Sequence, residues 1–366
     1  MLIYFSLYFV FIISGFLDLC NISFSKRKVI LFFWVLVFTL FRGLRWETGT
    51  DWFQFFEVFK NVNWSELFSF IRYGEQKMEF GYVFLNLIVK TLGGGYTSFL
   101  IFTNAIILLI YADFSIKYSK YPLLLFIAII TASNFFPVRQ TLAGAIILFS
   151  YQFVINKNLI KFLITCGIAI SIHMASIVFL PFYFLLRIRL SDTILFAILF
   201  SSIFIGEFIF IIIDSAISLF SFLGSQFIER LSIYASLAAG LFDKTERSIA
   251  NIVINFIFLA WFLIVRRKSD EKTVLNVFIN TFVVGLAITN VFYNYMQELG
   301  RFASYFTLAS SVLYTYLMDY YKNYYKFIGA FLYFLVFILL MFYRFNRLLD
   351  FYPEVHFPYQ SVLDLL

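Results

Sequence analysis

The chain has 366 residues, of which 62% are hydrophobic and 13% charged, and its formal net charge is +7. No soluble domain needs that much apolar surface, and the apolar runs recur along the whole length instead of forming one leader, so a polytopic membrane protein is expected. Two cysteines and two histidines leave little for a disulfide framework or a histidine-rich metal site, and no metal or cofactor is expected.

Apolar runs and their polar breaks predict an all-α helix bundle forming a single transmembrane domain, 1–366, with about twelve crossings of the bilayer. The spans are 2–19, 29–41, 97–114, 122–135, 138–155, 159–172, 174–186, 193–213, 248–265, 273–291, 302–318 and 327–343. A further apolar stretch, 80–92, is too short to cross comfortably and ends in Gly93-Gly94-Gly95. It reads as a re-entrant or interfacial helix. The loops then alternate in charge. Lys26-Arg27-Lys28, Lys117 with Lys120, Lys157 with Lys161, Arg187 with Arg189, Arg266-Arg267-Lys268 and Lys322 with Lys326 mark every second loop, which the positive-inside rule places in the cytoplasm. The net charge is therefore a topology signal and not a nucleic-acid footprint. Both termini fall outside, with two long external loops, 42–80 and 214–247, and an external tail, 344–366. The inner loops are short and carry no glycine-rich phosphate cradle, which argues against an ATP-driven pump or an enzyme using nucleotide sugars on the inner side.

Arginine is costly in hydrocarbon and normally crowds inner loops, so arginines at outer helix ends need a reason. The first group is Phe41-Arg42-Gly43-Leu44-Arg45-Trp46-Glu47-Thr48-Gly49-Thr50-Asp51. Arg42 and Arg45 are three apart and would share a face if the helix continued. Guanidiniums grip phosphate oxygens bidentately, as lysine does not. Glu47 and Asp51 are placed to orient them or to act themselves. The bland alternative is an interfacial anchor with weak surface ion pairs. Glu79 is a further candidate base or sugar ligand. In Asn134-Phe135-Phe136-Pro137-Val138-Arg139-Gln140 the proline sets a first helical turn, which puts Arg139 and Gln140 beside free amides that favour an anion. His173 lies in Ile170-Ser171-Ile172-His173-Met174-Ala175-Ser176, at the outer junction of two short helices, where it could act as base, proton shuttle or sugar ligand, or satisfy a helix-end carbonyl. Arg230 with Tyr234, and Arg301 with Tyr305, are each four apart and are expected on one helical face. Glu298 precedes Arg301 and joins the candidate carboxylates.

At these residues the chain resembles the EpsG family, the Wzy-type polymerases of bacterial surface polysaccharides such as O-antigen, capsule and exopolysaccharide. The matching marks are Arg42-Gly43-Leu44-Arg45 with Gly49-Thr50-Asp51, then Glu79-Phe80-Gly81-Tyr82, Arg139-Gln140, His173 and Arg301, in that order over roughly 40–310, with the tail around Pro358-Tyr359. Each motif alone is loose, and their order carries the likeness. The resemblance implies a glycosyltransferase at the outer face of the bacterial inner membrane, and the lack of an aspartate pair at metal-binding spacing makes it metal-independent by expectation. Its substrate would be an undecaprenyl-diphosphate-linked oligosaccharide held among membrane lipid, with a flippase and a chain-length regulator as partners. Arg42, Arg45, Arg139 and Arg301 would hold diphosphate, His173 or Asp51 would take the proton of the attacking hydroxyl, and Glu79 and Tyr305 would position sugar. Rival readings are a ligase or phosphotransferase using the same donor, a membrane acyltransferase, and a flippase or transporter of the same lipid. Arginines confined to outer ends, with plain inner halves, favour the enzyme over the transporter.

Overall fold

The computed structural model describes residues 2–49, 51–67, 72–73, 76–133, 135–136, 138–219, 248–293, 300–350 and 353–365. They are almost wholly helical, with one pair of two-residue antiparallel strands, β1 Arg72–Tyr73 and β2 Gln76–Lys77. The chain divides into two compact units, Met1–Tyr183 with Ser311–Leu366, and Phe184–Ser310.

In the first unit, α1 (Leu2–Ser14) runs into a 3-10 turn at Gly15–Asp18, and α2 (Phe24–Gly43) follows. The Ser23 side chain accepts the Lys26 amide and so caps α2 at its start. Buried Leu31, Trp34, Val35, Phe38, Thr39 and Arg42 form one stripe of α2, which packs on α5 (Tyr96–Tyr118). The two helices cross closely at Gly43, where a Cβ would stand 2.8 Å from the Ile101 Cα. α6 (Pro122–Ala132) is apolar all round and buried from Pro122 to Thr131, which makes it the centre of the unit. α7 (Arg139–Ile155) and α8 (Leu159–Ile172) pack along one another, and α4 (Phe80–Thr91) leans on α8. Short α3 (Trp52–Asn61) buries Trp52, Phe55, Val58 and Phe59 against α4 and α5.

α2 is 20 residues long, roughly 30 Å, so its two ends stand about a hydrocarbon thickness apart. At the lower end the basic loops gather. Asp18 accepts the Leu124 amide at 2.9 Å and lies 3.8 Å from Arg27; Arg27 donates to the Lys120 carbonyl at 3.0 Å, and Lys120 pairs with Asp319 at 2.9 Å. At the other end stand Arg42, Arg45, Glu79, Arg139 and His173. Within the first unit, Arg27 and Lys120 thus stand at one end of α2 and the arginine cluster at the other.

The second unit holds α9 (Phe182–Leu185) in part, α10 (Asp192–Leu219), α11 (Ile249–Lys268), α12 (Lys272–Phe292), a 3-10 turn at Arg301–Ala303, and α13 (Ser304–Ser310). Two of its buried polar side chains make the hydrogen bonds that burial favours. Buried Arg266 bonds to Asp192, to the Asn276 Oδ1 at 3.0 Å and to the Leu190 carbonyl at 3.2 Å. Asn280 donates to the carbonyls of Leu186 and Ile188.

Four helical stretches among the described residues are long and apolar enough to cross a membrane: Tyr96–Tyr118, Ile249–Lys268, Lys272–Phe292 and Arg301–Asp350. The last contains α14 (Val312–Asp350), whose backbone breaks at Lys326 with φ of 57°. Tyr333 donates to the Tyr314 carbonyl at 2.9 Å, although an unbroken helix would separate residues that far apart in sequence by roughly 28 Å, so the chain folds back there. That is where the sequence predicts the loop between crossings 302–318 and 327–343. Other expected spans form helices too short for the same criterion, among them 2–19, 122–135 and 159–172. The expected span 174–186 is not one helix. It is a 3-10 turn at Met174–Phe179 and the single turn of α9, separated by Pro181, which has no amide to donate. The expected helix 80–92 is present as α4.

Candidate active site

Arg42 and Arg45 are each 1% exposed. α2 ends at Gly43, so the two arginines do not share a helical face as expected. The backbone after Gly43 pairs instead with the C-terminal tail: Trp46 donates to the Gln360 carbonyl at 2.9 Å, Val362 donates to the Leu44 carbonyl at 2.8 Å, and Arg45 stands opposite Ser361. Tyr359 stacks on Phe41 with ring centres 4.8 Å apart and donates to the Phe41 carbonyl at 2.7 Å. Under this cover Arg42 reaches the Ser133 hydroxyl at 3.4 Å, and the Arg45 guanidinium lies 4.6 Å from the Phe136 ring centre. The Nε of both arginines and the Nη1 of Arg45 have no hydrogen-bond partner among the described residues. Among the described residues no carboxylate lies within ion-pair distance of either. Burial first, then the like charge of Arg42 against a partial offset from Tyr96, pushes the Arg45 guanidinium down to about 10, so it stays charged at neutral pH.

Tyrosines surround the pair. Tyr8 and Tyr111 interact with Arg42, and Tyr82 and Tyr96 with Arg45. Among the described residues none of the four buried hydroxyls completes a hydrogen bond of ordinary geometry, although Arg42 stands near that of Tyr8, Ser133 near that of Tyr111 and Asn86 near that of Tyr82. The sequence reading names Tyr82 only within the mark Glu79-Phe80-Gly81-Tyr82 and gives none of the four a role, because 24 tyrosines in one chain make no single one conspicuous.

A second cluster forms where α4, α7 and α8 meet. Glu79, the residue before α4, takes Arg139 Nη1 at 2.6 Å on one oxygen and the Met174 amide at 3.1 Å on the other. His173 Nδ1 stands 3.5 Å from that second oxygen, at the edge of hydrogen-bonding reach. His173 ends α8 with its own amide bonded to the Ala169 carbonyl, and its extended backbone starts the 3-10 turn. Arg139 opens α7 as expected, with its guanidinium 5.0 Å from the Phe55 ring centre and 5.8 Å from that of Tyr82. Gly81 lets α4 approach α8, since a Cβ there would stand 2.3 Å from the Ser171 hydroxyl. Burial raises the Glu79 carboxyl, but His173, the Arg139 guanidinium and the Met174 amide outweigh it and hold the group at about 2.

The remaining candidates fall elsewhere. Glu47 and Asp51 are exposed, both with positive φ, in the turn around Gly49, and neither is ion-paired with the buried guanidiniums. Gln140 is half-buried in the first turn of α7. Arg301 is exposed while Tyr305 is 1% exposed, so the two meet different surroundings within their own unit. Arg230, Tyr234, Glu298 and Thr50 lie outside the described residues. Among the described residues no group of three or more His, Cys, Asp or Glu side chains is placed to hold a metal ion.

Against known proteins, a family model described as the EpsG family matches residues 28–361. Neither the curated proteins nor the solved structures contain a match to the chain. The family match spans nine-tenths of the sequence and takes in both the buried arginines and the Glu79, Arg139 and His173 cluster. The chain belongs to the EpsG family, a family of polysaccharide polymerase-like membrane proteins.

Proposed function

We propose that the protein joins undecaprenyl-diphosphate-linked oligosaccharide units at the outer face of the bacterial inner membrane, in a multi-pass bundle of about twelve crossings with both termini outside. The observation that carries this reading is the pair of buried guanidiniums, Arg42 and Arg45, with no carboxylate among the described residues to balance them. An isolated buried ion costs several kcal/mol, and two like charges together cost more, so the pair calls for an anion of more than one charge. A sugar diphosphate supplies that anion, and a lipid carrier brings it to a helix end at the membrane surface.

In the reaction, the non-reducing-end hydroxyl of one lipid-linked unit attacks C1 of the first sugar of the growing chain on a second carrier. The C1–oxygen bond to the diphosphate breaks, the electron pair leaves with the diphosphate, and the hydroxyl proton passes to a base. Arg42 and Arg45 stabilise the developing charge on the leaving group. His173 is the preferred base over Asp51, because Glu79 at its Nδ1 favours the tautomer whose Nε2 accepts a proton. Arg139 fixes Glu79, and Gln140 and Glu47 remain candidate contacts to the glycan.

The test is purified protein with a synthetic undecaprenyl-diphosphate repeat unit, in excess chelator and without nucleotide. A ladder spaced by one repeat is expected, and Arg42→Ala or Arg45→Ala should reduce it by at least about a hundredfold while the protein still folds. A single glycan transferred to another acceptor would identify a ligase, and transport without bond formation would identify a flippase.

A further inference from the structure

Arg45 has buried company that no role yet explains. Tyr82, in the first turn of α4, is 0% exposed, and Tyr96, the first residue of α5, is 4% exposed. Both rings pack on Phe99, with centres 5.6 Å and 6.1 Å away, which fixes the two phenols on one wall. Replacing either ring by another of the same shape would leave that packing intact.

Among the described residues neither hydroxyl completes a hydrogen bond, and neither do Nε and Nη1 of Arg45, with which both phenols interact electrostatically. Buried polar groups are nearly always paired, so these orphans need an explanation. The guanidinium atoms can only donate, Tyr96 has no acceptor among the described residues, and Tyr82 has only the neighbouring Asn86, so the missing component is rich in acceptors. One water supplies two lone pairs, too few for the set. A phosphoryl group offers three oxygens carrying negative charge, and it suits a site whose fixed charge is positive.

We propose that Tyr82 and Tyr96 are phosphate ligands, their hydroxyls donating to oxygens of the phosphoryl group that Arg45 holds. The inference rests on the diphosphate reading above and adds to it two neutral donors. Neutral donors fill the phosphate's remaining lone pairs without adding to the repulsion between Arg42 and Arg45. Tyr82 also faces the other cluster, since the Arg139 guanidinium lies 5.8 Å from its ring centre. It therefore touches both the phosphate side and the side where Glu79 and His173 meet, and its loss should lower turnover as well as affinity.

Tyr82→Phe and Tyr96→Phe test this on the full-length protein in detergent, with two probes, undecaprenyl diphosphate and inorganic diphosphate. Each variant is expected to bind about tenfold more weakly than wild type, the loss of one hydrogen bond to a charged group. The melting temperature without ligand should be unchanged or higher, because an orphaned hydroxyl has been removed. Loss against either probe supports the inference. A response to inorganic diphosphate means that the headgroup alone is recognised, and a response confined to the lipid means that the carrier delivers it. Wild-type protein that binds neither probe overturns both this inference and the diphosphate reading. Wild-type binding that both variants retain overturns this inference alone, as does a fall in melting temperature with affinity unchanged.

Discussion

Glu79 shows how a single carboxylate can be committed before any substrate arrives. Its oxygens are taken by Arg139 and by the Met174 amide, with His173 alongside, and the group is held at about 2. The depressed value means that its contribution is present above the ordinary carboxylate range and is lost only as the pH falls toward about 2. Glu79→Gln should therefore cut polymer formation by a similar factor, about tenfold to a hundredfold, at about pH 6 and at about pH 8. Initial rates at the two pH values check this, and a defect that disappears at one of them would mean that Glu79 titrates during the reaction. The sequence singles out Arg42, Arg139, Glu79 and His173 because ionisable residues are rare among apolar runs. It does not reveal their pairing. Glu79 and Arg139 are 60 residues apart, and no local spacing announces their contact. Nor does it tell buried Arg45 from exposed Arg301, because what distinguishes them is the tail folded over the first.

At the scale of the element, the site depends on how closely helices approach. Gly81 on α4 meets α8 with no room for a methyl group: a Cβ would stand 2.3 Å from the Ser171 hydroxyl and 2.8 Å from its carbonyl oxygen. Gly81→Ala must push α4 away from α8, carrying Glu79 off His173, at a cost of about 1–3 kcal/mol in stability. The expected result is polymerisation reduced far more than the modest fall in melting temperature. Gly167→Ala on α8 is the control, since a Cβ there meets nothing within 4 Å. It should leave activity unchanged and stability equal or up to about 1 kcal/mol higher. Helices 138–155, 159–172, 193–213 and 273–291 are legible in the sequence to within a few residues, because each is a long apolar run with a polar break. α3 is not, because a reading by bilayer length passes over ten residues whose Trp52, Phe55, Val58 and Phe59 form a helical stripe. The region read as the loop 42–80 thus includes a helix that forms one wall of the site, through Phe55 beside Arg139.

For the whole molecule, the first unit has two chemically distinct ends. Asp18, Arg27, Lys120 and Asp319 close one, and the arginine and tyrosine clusters occupy the other. The positive-inside rule assigns the first end to the cytoplasm. Single cysteines in a background lacking Cys20 and Cys166 check that assignment in intact cells. Glu47→Cys, exposed beside Arg45, should react with a membrane-impermeant maleimide, and Lys117→Cys only after permeabilisation. The reverse pattern would place the arginines inside and remove the proposed substrate from their reach. That Arg27 and Lys120 share an end is legible from charge periodicity. What covers them is not, because the pairing of residues 44–46 with 360–362 joins distant parts of the chain by backbone bonds that leave no mark in composition.

That pairing also sets a clock. α1 and α2 are made well before residues 356–362, yet Tyr4 donates to the His356 carbonyl at 2.9 Å and Trp46 to that of Gln360 at 2.9 Å. The helices can enter the bilayer one after another while the arginines still face water. Arg42 and Arg45 are covered only once residues 359–362 have been made, so a chain stopped before them would leave both guanidiniums open to water.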